Sequence, residues 1–186
     1  MKNMLSVQDG GPVQSRIDWY WDRFGWVCRA RPDEDREPVR GRPDAARVDL
    51  VLGGPGRIGT LDLPALVGVA ALERISRRPA ATGPVLDGLG RMCFLVDLGE
   101  SSALDTGPVE LWRGAGIELL LRDRGDLPLP AAGWGGPQAV VWAVPPAPER
   151  PALPAAELVL SYLDRAVRDA YPALWEVVRR TSHSEC

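Results

Sequence analysis

Residues able to act as nucleophiles or proton carriers are sparse in this chain. A single histidine, His183, and three cysteines, Cys28, Cys93 and Cys186, supply all of its imidazole and thiol groups. His183 and Cys186 belong to the last few residues, so a Ser-His-Asp or Cys-His mechanism would have to be built on a fraying terminus. No two cysteines are spaced as CxxC, which removes zinc-knuckle chemistry. Cys28 and Cys93 lie among apolar residues and read as small core hydrophobes; Cys186 reads as a free thiol. Carboxylates, guanidinium groups and aromatic rings remain. Seven tryptophans are more than this length normally carries. Trp112, Trp134 and Trp142 flank an inferred sheet face, where they can stack a base or line an apolar pocket. Plain core or loop packing is the alternative for them. Arg29, Arg31, Arg36, Arg40, Arg42 and Arg47 crowd one stretch, and Arg40 and Arg42 are the candidates for contact with phosphates. Asp33, Glu34, Asp35 and Glu37 share that stretch, so a solvated, self-neutralised loop explains it as well. The turn Gly53-Gly54-Pro55-Gly56 is weak as a phosphate cradle, because Pro55 has no N–H to donate. Hairpin geometry alone accounts for its glycines.

These groups sit in 186 residues, one domain or one domain with a small appendage. Hydrophobic residues make up 45% and charged residues 25%, which rules out wholesale disorder and a coiled coil. The 20 glycines and 18 prolines are many, yet below the range of low-complexity chains. The net charge of −3 argues against a dedicated nucleic-acid binder, so any such binding is expected to be weak and local. Apolar runs such as Ala139 to Pro146 are too short to cross a bilayer, so no membrane partner is expected. Met1 to Gly11 is short and polar, unlike a signal peptide. The expected location is therefore the cytoplasm.

Residues 1–13 read as a disordered tail. Ile17, Tyr20, Trp21 and Phe24 then fall at helical spacing after a capping pair, Ser15 and Asp18, and Gly25 stops that helix. Trp26 to Ala30 reads as a short strand and Arg31 to Ala46 as a loop. Val48 to Gly53 and Arg57 to Leu63 form a hairpin around the glycine turn. Pro64 suits the first turn of a helix reaching about Arg77. Val85 to Asp87, Gly90 to Asp97, Ile117 to Arg122 and Ala139 to Val144 read as strands. Gly125 to Gly136 is a loop with a short extended piece, and Asp123, Arg124 and Asp126 lie in a turn and stay solvated. Residues 14–146 make the core, 147–154 a stiff proline-rich linker, 155–181 the C-terminal helices and 182–186 a tail. Leu158, Val159, Tyr162, Leu163, Ala166, Val167 and Ala170 form a helical stripe that must dock on the core or on another chain. The mixed order of helices and strands, without regular βαβ alternation, predicts an α+β fold around a mostly antiparallel sheet.

Several segments in order resemble the N-terminal domain of bifunctional DNA primase/polymerases. Trp19-Tyr20 and Phe24-Gly25-Trp26-Val27 look like that family's opening helix and strand. VDLVLGGPGRIGTLDLPALVGVAALERI, from Val48 to Ile75, is similar to its glycine-turned hairpin, acidic strand end and following helix. GRMCFLV, from Gly90 to Val96, resembles the segment carrying its histidine. GIELLLRDRGDLPLPAAG, from Gly116 to Gly133, resembles its third acidic segment, and VVWAVPP, from Val140 to Pro146, its final strand. The resemblance implies the RRM-like core of archaeo-eukaryotic primases. It also implies two acids one residue apart, a histidine and a third acid, which together hold two divalent metals. Here the first acid matches Asp62, the second falls on Pro64, the histidine on Met92 and the third acid on Glu118. Two carboxylates without a histidine would hold one magnesium ion weakly at best. Asp62 also suits a helix start, where a carboxylate faces orphan N–H groups, and Glu118 an outward strand position.

The resemblance thus implies a catalytically degenerate primase/polymerase-like domain, kept as a regulatory module that binds a nucleotide, a nucleic acid or a protein. Its ligand-binding candidates are Met92, Arg57, Trp112, Trp134 and Trp142. A second reading is an enzyme of different chemistry, with Asp62 and Glu118 performing acid–base work on a small metabolite in a Trp-lined cleft. A third is an active polymerase. Homodimerisation is a further expectation if the C-terminal helices leave apolar surface uncovered.

Overall fold

The computed structural model describes residues 13–32, 46–54, 57–75, 82–88, 90–99, 112–113, 116–130, 140–150 and 152–172. Its elements, in chain order, are α1 (Val13–Phe24), β1 (Cys28–Pro32), β2 (Ala46–Leu52), β3 (Ile58–Pro64), α2 (Ala65–Ile75), β4 (Val85–Gly88), β5 (Arg91–Asp97), β6 (Leu120–Arg122), β7 (Gly125–Pro128), β8 (Val141–Val144) and α3 (Ala156–Ala170). The fold is α+β, and among the described residues every strand pairing is antiparallel.

The described strands form two sheets rather than one. Five strands run in the order β6-β3-β5-β4-β8, and three in the order β1-β2-β7. The β2–β3 hairpin expected from the glycine turn closes through a bridge between Gly53 and Ile58, with the Gly53 N–H donating to the Ile58 carbonyl at 2.7 Å. Beyond that bridge the two strands part, one into each sheet. The stretch read as a loop after Arg122 does the same: β6 pairs with β3, and after Asp123 and Arg124 the chain re-enters as β7 beside β2. Gly53 makes this corner possible. Its φ is +74°, and a Cβ there would lie 2.5 Å from the Asp123 carbonyl oxygen.

Strand alternation then assigns the side chains to two cores. On β5, Met92, Phe94 and Val96 face one way, with Leu61 and Leu63 of β3, against α2 and α3. Cys93 and Leu95 face the other way with Ile58 and Leu86, towards Val48, Leu50 and Leu52 of β2, Leu127 of β7, and Tyr20 and Trp26. A strand buried on both faces has no polar side to show, which is why Met92 to Val96 is an unbroken apolar run. Each large side chain so enclosed contributes roughly 1.5–3 kcal/mol.

The C-terminal stripe docks within the chain. Val159, Leu160, Leu163, Ala166 and Val167 of α3 are buried in the first core, and α3 packs against α2. The end of the proline-rich segment lies along the sheet: the Asp97 N–H donates to the Pro154 carbonyl at 2.9 Å, and Ala155 bridges to Asp97. Trp112 locks its own segment to α3, its indole N–H donating to Asp164 Oδ1 at 2.9 Å. The part of the expected C-terminal helices beyond residue 172 lies outside the described residues. Among the described residues, no helix is long and apolar enough to cross a membrane.

Candidate functional site

Asp62 is on β3, near its C-terminal end, and the register decides what it meets. It stands opposite Cys93 on β5 and Leu120 on β6, while Thr60 stands opposite Leu95 and Arg122, and Pro64 opposite Arg91. Residues two apart share a face. Thr60, Asp62, Cys93, Arg91 and Arg122 therefore belong to one face of the five-stranded sheet. The Asp62 side chain is buried, at 2% exposure, and its Oδ2 lies 3.6 Å from Arg122 Nη1. Arg122 Nη2 donates to the Asp126 carbonyl at 3.0 Å, which ties this end of β6 to the start of β7.

Arg91 reaches the same place from β5. Its Nη2 donates to the backbone carbonyls of Asp62, at 2.9 Å, and Glu118, at 3.2 Å, while its Nη1 pairs with Glu118 Oε2 at 2.9 Å. Glu118 itself is 65% exposed. Three polar atoms here are buried without a hydrogen-bond partner among the described residues: Asp62 Oδ1, Thr60 Oγ1 and Arg91 Nε. The Cys93 thiol is pushed up to about 12, chiefly by burial and then by the Asp62 charge and hydrogen bond, so it stays protonated at neutral pH and is no nucleophile.

Arg91 thus links the Asp62 backbone to Glu118, and each of the two carboxylates singled out in the sequence faces a different guanidinium, Asp62 that of Arg122 and Glu118 that of Arg91. A divalent-metal pair needs several acidic oxygens converging on one point. Among the described residues, no group of three or more His, Cys, Asp or Glu side chains is so arranged. With Arg122 against Asp62 and Arg91 against Glu118, this donor set does not suit magnesium.

Other candidates fall elsewhere. Met92 pairs with Leu63, so it faces the helices, opposite to Asp62; it is buried in the first core and offers a ligand nothing. Gly68 of α2 explains its tight seat, because a Cβ there would lie 2.4 Å from the Met92 side chain. Trp112 is fully buried and is a core residue, not a pocket wall. Trp142 is half-buried against Trp26, with ring centroids 6.5 Å apart, in the aromatic group that includes Tyr20 and Phe24. Arg57 is an exposed turn residue with φ +48°. Trp134, Arg40 and Arg42 lie outside the described residues.

The arginine stretch has a second surprise. Arg29, Arg31 and Arg47 lie on the outer face of the three-stranded sheet; Arg29 and Arg31 pair with acids from other strands, and Arg47 with Asp49 of its own strand. Arg31 and Arg47 meet the fully buried Asp49, at 3.4 and 3.1 Å, and Arg29 and Arg31 meet Asp126. Asp126, expected in solvent, is therefore a paired strand residue. Asp123 and Arg124 do remain exposed.

Sequence reasoning passed over Arg91, Arg122, Cys93 and Thr60 as members of the Asp62 face. One signal was available: Arg122 closes the strand-like apolar run Leu119-Leu120-Leu121, where a charge can find a partner on a neighbouring strand. The identity of that partner required the register. The chain matches no protein-family model, no curated protein and no solved structure.

Proposed function

We propose that this chain is a non-catalytic binding domain on a degenerate primase/polymerase-like scaffold, taking a nucleotide or another phosphate-bearing ligand at the strand end around Asp62. The observation that carries this reading is the convergence of Arg91 and Arg122 on Asp62, where the resemblance calls for metal ligands. Two-metal catalysis depends on acids that concentrate cations. A site whose acids are already matched by guanidinium groups loses that power, and keeps groups suited to phosphate oxygens. The substitution of the second acid by Pro64, which has no ligand atom, points the same way.

Primer extension with magnesium or manganese tests the catalytic half, and is expected to give no incorporation above background. Titration of ATP by calorimetry tests the binding half, with binding lost in Arg122→Gln. Incorporation that vanishes in Asp62→Asn would overturn the reading.

A further inference from the structure

Glu118 holds an unusual position for a residue so exposed. Its carboxylate occupies Nη1 of Arg91, while Nη2 of the same guanidinium is fixed on the backbone carbonyls of Asp62 and Glu118. The backbone contacts set the direction of the fork; the carboxylate only fills it. The Arg91 side chain is 24% exposed and that of Arg122 35%, so both are partly open to solvent, although Arg91 Nε is buried and Arg122 Nη2 is held by the Asp126 carbonyl. Both also approach one residue, Asp62, from the two strands that flank it. Asp62 Oδ1, buried and without a partner, marks this as a polar site that the described residues leave incompletely satisfied.

We propose that Arg91 and Arg122 form a phosphoryl-binding site whose resident occupant is the Glu118 carboxylate, a displaceable internal plug. The inference rests on the binding-domain reading above and adds its regulation. An exposed ion pair is among the weakest contacts a protein makes, because water competes for both partners and two long side chains must be held still. Glu118 can therefore leave at little cost. With Glu118 in place the four charges of Arg91, Arg122, Asp62 and Glu118 cancel; with it swung out, one positive charge remains. A phosphoryl group has enough oxygens to meet forks on two strands, whereas one carboxylate fills a single fork. The plug sets the threshold: only an anion that engages both arginines outcompetes a tethered carboxylate.

The experiment is calorimetric titration of the full chain with inorganic pyrophosphate, and in parallel with ATP. Glu118→Gln should bind pyrophosphate about tenfold more tightly than the parent chain, a difference of one decade in the dissociation constant. Glu118→Asp separates contact from mere charge: it keeps the charge but shortens the arm, and should behave like Glu118→Gln. Asp123→Asn removes a nearby exposed acid that the plug does not use, and should leave affinity unchanged. Arg91→Lys keeps the charge without the fork and should cancel the gain from Glu118→Gln. ATP binding more tightly than pyrophosphate would assign the phosphoryl group to a nucleotide; equal affinities would assign it to the phosphates alone. Pyrophosphate binding equally to the parent and Glu118→Gln chains, yet weakened by Arg122→Gln, would overturn the plug and leave the binding domain standing. No binding of pyrophosphate or ATP to either chain at millimolar concentration would overturn both.

Discussion

Asp62 and Arg122 meet across the β3–β6 ladder, with carboxylate and guanidinium 3.6 Å apart, the acid enclosed and the base open to solvent. The asymmetry decides what each contributes. Loss of the base strands a charge in the interior, whereas loss of the acid frees a side chain that water can solvate. Arg122→Met should therefore cost roughly 1–3 kcal/mol, less than the 3–5 of a fully buried pair because solvent already screens the arginine. Asp62→Asn in the same chain should recover part of that loss. Urea unfolding of the two single variants and the double variant measures the coupling, and additive effects would show that the pair does not interact.

Gly68 and Met92 set how closely α2 approaches the sheet. A methyl group at residue 68 would meet the Met92 Cβ and Cγ at 2.4 Å, and atoms that near the backbone cannot swing away. Gly68→Ala should destabilise by about 1–3 kcal/mol through overpacking, despite the better helix propensity of alanine. Met92→Gly added to it removes both clashing atoms and should recover part of that loss, although Met92→Gly alone leaves a cavity. Melting temperatures that fall additively would contradict this account.

The half-buried Cys28 and the buried Cys93 make stability fall in alkali. Burial pushes Cys28 and Cys93 up from 9.0 to about 12 in the folded chain. A raised folded value means that the unfolded thiols release protons first, so the stabilisation is complete below pH 9 and is lost as pH rises towards 12. The slope should be about 1.4 kcal/mol per thiol per pH unit within that window. Replacing both by alanine should flatten the unfolding free energy between pH 9 and 11. The Cys93 thiol should also resist iodoacetamide at pH 8 until the chain unfolds.

The last described helix is part of the core. Leu163 is fully buried in the first core, so Leu163→Ala should cost about 2–5 kcal/mol. Removal of residues 154–186 strips the cover from Phe94, Val96 and Trp112 as well. The shortened chain should aggregate in size-exclusion runs at concentrations where the full chain stays dispersed. A truncated chain with an unchanged melting temperature would mean that α3 is an appendage.

Short-range chemistry already fixed most element positions in the sequence. Glycines at 25, 53 and 54, proline at 64 and the apolar run from Met92 to Val96 act within a few residues of themselves, and the helices and strands fall near where those residues put them. The α3 stripe was legible for the same reason, because a period of 3.6 is a local property. Its edge was not. Leu158 is exposed while Leu160 is buried, and both are leucines that a helical pattern admits. Which of them faces the core depends on where the sheet lies. The tertiary structure alone decided the separation of β2 from β3 into different sheets, the return of residues 125–128 beside β2, and the meeting of Asp62 with Arg91 and Arg122. Those pairings join residues some 30 to 80 positions apart. Any strand can offer its hydrogen bonds to several others, and the choice among them is made by the burial of the whole core.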